Sequence, residues 1–213
     1  MQLVAQKIEQ AQKSCRKIIA QNIYASNSDT ADEITGLRSC CFGADTVPYG
    51  GIESEDLVAA DLSQPWDAKN TTTTEGISLA VIRTLRSLAK IGDGADGKPD
   101  IATTTETLFN IISGILQVQQ RFTENKDVAN AGFTNVVFEG MTLAADDYCP
   151  SGYLFVLNSK YVGWAIHSQG YFTRTPWGDL IPVGVAGKTM KIFWDGNLVV
   201  SNRKAHAGHN NLS

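Results

Sequence analysis

Three histidines, four cysteines and one pair of adjacent aspartates are the side chains of this chain best suited to chemistry. His206 and His209 stand three residues apart, a spacing that one helical face could present to a metal, but no thiolate or carboxylate follows closely enough to complete a ligand set. They fall in a polar stretch that reads as a solvated tail. Asp146 and Asp147, if extended, point to opposite faces of a sheet and cannot flank one bond as an acid and base pair. His167 closes an aromatic-rich segment and reads as a histidine at the edge of the core. Cys15, Cys40, Cys41 and Cys149 form no C-x-x-C pair, so they read as small buried hydrophobes. The stretch GDGADGK lacks both the alternating carboxylates of a calcium loop and the hydroxyl residue of a phosphate loop. Neither a nucleophile elbow, a zinc-protease helix motif nor a G-x-G-x-x-G following a strand occurs. The expectation is a structural protein and not an enzyme, with no catalytic, cofactor or metal residue. The competing reading is a small α+β enzyme or ligand-binding domain with a cleft around Asp146, Tyr153 and His167.

The elements that would position such groups begin with residues 99–122. Pro99 forbids helix at Lys98, residues 100–102 are free to run as a strand, and Thr103 with Glu106 has capping-box spacing. Leu108, Ile111, Ile112, Ile115 and Leu116 then mark a wide apolar helical face. Ahead of this unit, Val4, Ile8, Ala11, Cys15 and Ile18 repeat at steps of four and three over some 25 residues without Pro or Gly. That stripe is narrow, so the helix is long and largely exposed. Residues 27–70 are broken by Gly36, Gly43, Pro48, Gly50, Gly51 and Pro65 and read as irregular, with turns at Gly36-Leu37 and at Tyr49-Gly50-Gly51-Ile52 beside short strands. Thr72 and Glu75 repeat the capping spacing before a second amphipathic helix through Ile77, Val81, Leu85 and Leu88, with Gly92 as its stop.

Strands dominate the remainder of the chain. Residues 133–143 read as two strands around Gly140, and residues 153–167 as strand interrupted at 158–160. An aromatic loop carries Tyr171, Phe172 and Trp177, and a hairpin is expected from 188–194 to 198–202 across Asp195-Gly196. From Arg203 the chain reads as a mobile polar tail. The order predicts an α+β fold with a mixed or antiparallel sheet, since regular β–α alternation is absent.

Across 213 residues, 43% are hydrophobic and 19% charged, with a formal net charge of -4. No cluster of Lys and Arg along the sequence suggests a sequence-specific nucleic-acid reader. The longest apolar runs fall far short of the roughly 20 residues a membrane span needs. A long helix with one seam, an irregular segment and an aromatic loop leave apolar surface that one small chain does not cover, which points to assembly. Tyr171, Phe172, Trp177, Trp66 and Tyr49 are the candidate subunit contacts.

The order of motifs resembles the major capsid proteins of tailed bacteriophages with the HK-97-like fold. The match is carried by DDYCPSGYLFVLNSKY from Asp146 to Tyr161, by Pro99-Asp100-Ile101 and the helix ending Gln119-Gln120-Arg121-Phe122, by Gly132-Phe133 leading to Phe138-Glu139-Gly140, and by Gly196-Asn197-Leu198-Val199 with Ser201-Asn202-Arg203. The resemblance implies a spine helix of the peripheral P domain in residues 1–30, an axial A domain mainly in 31–140, and strands in 141–202 that return from the A domain to the P domain; 203–213 remain the mobile tail. It implies self-association into hexamers and pentamers of an icosahedral head, location in the virion and in the host cytoplasm during assembly, and a scaffolding protein, portal and protease as partners. The family places an N-terminal arm and an extended E-loop before the spine helix. The sequence from Met1 carries neither, which implies a truncated or processed form, and no crosslinking lysine is carried over.

Overall fold

The computed structural model describes residues 2–26, 34–42, 49–52, 66–92, 94–120, 136–179 and 187–213. At its centre is the run Leu-Phe-Val-Leu of β5 (Leu154–Leu157), buried along its whole length. Successive side chains of a strand face opposite sides, and β5 serves two cores: Leu154 and Val156 join one apolar cluster, Phe155 and Leu157 another. A strand covered on both faces is a continuous apolar run and not an alternating one.

Around it lies a six-stranded mixed sheet built from β1 (Lys69–Thr71), β2 (Ile101–Thr104), β3 (Val136–Phe138), β4 (Met141–Ala145), β5 and β12 (Ala207–His209), in the order β1-β12-β5-β2-β4-β3. β2 runs parallel to β4 and antiparallel to β5, while β12 runs parallel to β1 and antiparallel to β5. Helices α3 (Leu79–Ala89) and α4 (Glu106–Gln120) cover one face through Ile82, Leu85, Leu108 and Ile112. The other face carries the short α2 (Leu37–Phe42) and Tyr24, which follows α1 (Gln2–Asn22). The α+β class with a mixed sheet is as the sequence predicts.

Five local expectations are corrected. Thr103 is not a helix cap: it pairs with Ala144 and Phe155 in the interior of the sheet, and the Thr105 carbonyl accepts the first helical bond from Phe109 N–H at 2.9 Å. The Thr72 and Glu75 spacing does not open α3 either. Ser78 caps that helix by accepting from Val81 N–H, because the preceding residues are taken by the chain's end, with Ser213 N–H bonded to the Glu75 carbonyl at 3.2 Å. Gly36-Leu37 opens α2 and not a strand, since Leu37, Cys40 and Cys41 recur at helical steps and are all buried.

The fourth correction concerns the C-terminus. Residues 203–213 are no mobile tail: Arg203, His206 and His209 are buried, and β12 is an interior strand. Its small residues are what let it enter, since a Cβ on Gly208 would stand 2.4 Å from the Phe42 ring.

Beyond the sheet extends a two-stranded ribbon of β6 (Val162–Ile166) and β11 (Gly196–Val200). Asp195-Gly196 therefore does not turn a hairpin between neighbouring segments. Asp195 N–H instead donates to the Gly170 carbonyl and its own carbonyl accepts from His167 N–H, both at 3.0 Å, which fastens the start of β11 to the end of β6. The approach is close enough that a Cβ on Gly170 would meet the Asp195 side chain at 2.7 Å. Between the two strands lie the short pairs of β7 (Thr173–Arg174) with β10 (Ile192–Phe193) and β8 (Gly178–Asp179) with β9 (Lys188–Thr189). The expectations that fall on residues 27–33, 43–48, 53–65, 121–135 and 180–186 lie outside the described residues.

Candidate assembly surface

The ribbon buries its apolar face only at its root. Direct cross-strand partners share a face, which places Val162 with Val200 and Trp164 with Leu198. Leu198 and Val200 are buried in the second core cluster, whereas Trp164 and Ile166, further along the same face, are 41% and 40% exposed. Trp164 stacks edge-on against Trp194 at 5.6 Å, so its ring is held in place while still meeting solvent. On the opposite face of the ribbon Val199 is also exposed.

Helix α1 continues this surface. No described side chain of α1 is buried, and the apolar stripe expected to seat it leaves Val4 and Ile18 exposed. Two open clefts flank the helix. One, of about 860 Å³, lies between Ile18 and Ile19 of α1 and Ile166, Trp194 and Asn197 of the ribbon; the other, of about 500 Å³, lies between Val4, Ile8 and Ala11 and Trp177, Met190 and Ile192. The C-terminal end of α1 is firmly fixed: the Ile23 carbonyl accepts from Leu37 N–H at 2.7 Å, and the Tyr24 hydroxyl donates to Asp146 Oδ2 at 2.9 Å. A helix tied at one end with open clefts along its length offers apolar area to another surface.

The five contact residues named from the sequence divide. Tyr171 and Trp177 stand 65% and 51% exposed in the distal loop. Phe172 is half-buried, against Tyr171 at 5.2 Å and beneath the Arg16 guanidinium at 5.7 Å, and so ties the loop to α1. Tyr49 and Trp66 belong to the interior: Tyr49 is buried, and the Trp66 indole N–H donates to its carbonyl at 3.1 Å. Gly50 and Gly51 take left-handed angles between Tyr49 and Ile52, as a tight turn requires, and that turn directs Tyr49 inward. The sequence does not single out Trp164, Ile166 and Val199; the alternation in β6 and β11 is the signal that could have found them.

Asp146, Cys149 and His209 are engaged in structural contacts. The cleft holding His167 contains neither Asp146 nor Tyr153. Asp146 accepts from the Tyr24 hydroxyl and from Tyr148 N–H, each at 2.9 Å. Burial pushes the Cys149 thiol up to about 12, with the Asp146 charge adding to it, and Cys41 is also raised, by its contact with Cys40 and by burial. Thiols held protonated are poor nucleophiles. His206 Nδ1 accepts from Asn158 N–H, while His209 Nε2 meets Glu75 Oε1 at 3.0 Å. Among the described residues no group of three or more His, Cys, Asp or Glu could hold a metal, and no helix is long and apolar enough to cross a membrane.

A double-covered mixed sheet, a projecting two-stranded ribbon and a long helix alongside it define an HK-97-like, capsid-type fold. The particular likeness is to the capsid asymmetric unit of cyanophage A-1(L), matched over 98% of this chain and 69% of that one, with a TM-score of 0.67 and 16% identity. The SrpI encapsulin of Synechococcus elongatus is matched over 79% of this chain and 59% of that one, with a TM-score of 0.48 and 14% identity. Neither a protein-family model nor a curated protein matches the chain.

Proposed function

We propose that the chain is a self-assembling shell subunit, the major capsid protein of a tailed bacteriophage or prophage, forming hexamers and pentamers of an icosahedral head around double-stranded DNA. The observation that carries this reading is the exposed apolar surface of α1, the ribbon tip and the distal loop, on a chain that shares its fold with a cyanophage capsid over 98% of its length. A shell needs several modest heterologous contacts that close into rings at slightly different angles. Apolar area spread over a helix, a ribbon and a loop suits that better than one deep pocket. In this reading α1 with the ribbon forms the peripheral P domain and the six-stranded sheet with α3 and α4 the axial A domain. The role is structural rather than catalytic, the location is the virion, and scaffolding, portal and protease proteins are partners in assembly.

The test is negative-stain imaging of the heaviest fraction of purified chain. Rings of five or six subunits, or closed shells, are the expected result. Uniform small particles at every concentration would count against the reading.

A further inference from the structure

The ribbon leaves one backbone edge open. β6 pairs with β11, and no other strand adjoins it among the described residues; from Gly163 to Ile166 every position is exposed. Which groups face outward follows from the bonds at the two ends of the pair. Ser201 N–H donates to the Tyr161 carbonyl at 2.9 Å, and His167 N–H donates to the Asp195 carbonyl at 3.0 Å. Bonded positions recur at every second residue of an antiparallel pair, so Gly163 and Ala165 bond toward β11. The N–H and C=O groups of Val162, Trp164 and Ile166 point the other way, along the open edge.

Soluble proteins blunt such edges with lysine, proline or a bulge. Val162 to Ile166 has no charge and no proline, and its register against β11 is unbroken. The segment Val-Gly-Trp-Ala-Ile is also symmetric in size about Trp164. Laid antiparallel on a second copy and centred there, it sets Val162 against the partner's Ile166, Gly163 against the partner's Ala165, and Trp164 against the partner's Trp164. Large apolar side chains then meet large ones on one face and small residues meet small ones on the other. All the outward backbone groups of Val162, Trp164 and Ile166 exchange bonds across the join. Lys160 falls opposite the partner's Ser168 and is already bonded to Asp96 at 2.6 Å, so no like charges oppose each other.

We propose that β6 pairs with β6 of a second copy across a two-fold axis, giving a four-stranded sheet in the order β11-β6-β6-β11. A two-stranded ribbon is marginal in water by itself, and the doubled sheet covers the exposed Trp164 and Ile166. The contact is isologous: it joins two subunits and does not close a ring, so in a shell it links one ring to the next. It rests on the shell reading and names one of its contacts. Five residues bury far less than the roughly 1,600 Å² of a stable pair, so the pairing is weak alone and is read by trapping.

The full chain carrying Cys15→Ser, which removes the one cysteine that is not buried, is prepared as Gly163→Cys and, separately, as Ala165→Cys. These positions oppose each other as a non-hydrogen-bonded pair, whose close spacing suits a disulfide. A Cβ at residue 163 meets nothing within 4 Å. Tyr161→Cys with His167→Cys is a second pair in the same register, should the first fail to fold. The two variants are mixed at high concentration under mild oxidation, and the crosslinked dimer is read on a non-reducing gel. The mixture is expected to give at least ~10-fold more crosslinked dimer than either variant alone, where like positions stand a diagonal apart. Crosslinking no greater in the mixture than in the single variants overturns the pairing. Light scattering of the parent chain separates the two readings: rings of five or six without the mixed crosslink overturn the pairing alone, and a strict monomer without it overturns the shell reading as well.

Discussion

Arg203 Nε donates to the Cys40 carbonyl at 2.7 Å across 163 residues of chain. The same guanidinium reaches the Ser39 carbonyl at 3.1 Å and the Trp66 carbonyl at 3.2 Å and lies 5.7 Å from the Tyr49 ring. One buried cation therefore gathers α2 and the two aromatic residues beneath it. Arg203→Ala would leave three carbonyls short of a charged donor. A loss of at least about 1–3 kcal/mol is expected, the scale for leaving a buried acceptor without its donor, and a urea unfolding midpoint measures it.

Gly208 has no room for a side chain, since an added Cβ would stand 2.4 Å from the Phe42 ring. Gly208→Ala is expected to cost about 1–3 kcal/mol by overpacking. Adding Phe42→Leu should return part of that loss, because a flexible side chain can move aside where a ring wedged against Tyr153 and Phe155 cannot. Thermal unfolding of the single and double variants checks both.

His206 sets a pH dependence. Burial lowers it to about 4, outweighing the opposing pulls of the Tyr161 backbone and the Asp100 carboxylate. The unfolded chain binds this proton more readily than the folded one, so stability rises with pH between the two values. The contribution is fully present above the ordinary histidine value of about 6.5 and is lost progressively as pH falls toward 4, by on the order of 3 kcal/mol. Unfolding midpoints from pH 7 to pH 4 should fall less steeply in His206→Gln than in the parent chain.

Trp177→Ala should leave the subunit folded and weaken its association at least ~10-fold, the scale of a buried aromatic contact residue. Circular dichroism checks the fold, and sedimentation velocity over a concentration series checks the association. Collapse of the fold would make Trp177 a core residue, against its 51% exposure.

What the sequence disclosed depended on how locally each element is determined. The run Leu154–Leu157, the face of α4 through Leu108, Ile112, Ile115 and Leu116, though not the exposed Ile111, and the Gly140 turn were legible because periodicity and turn chemistry act within a few residues. The capping spacings at Thr103 and Thr72 misled because distant partners took those backbones: Ala144 and Phe155 pair with Thr103, and the chain's last residues bond the segment ahead of α3. Composition hid the buried C-terminus, since Gly208 is small to pass Phe42 and His209 is polar to meet Glu75. In the candidate surface, Tyr171 and Trp177 were visible as aromatics in a turn-rich loop. Trp164 and Ile166 were not, because their exposure depends on how far Leu198 and Val200 carry the core along the ribbon.

The central claim is association, and mass in solution by light scattering across a concentration series addresses it directly. The account predicts masses five or six times that of the 23.0 kDa chain, or larger closed species, at the higher concentrations. A strict monomer throughout would contradict it.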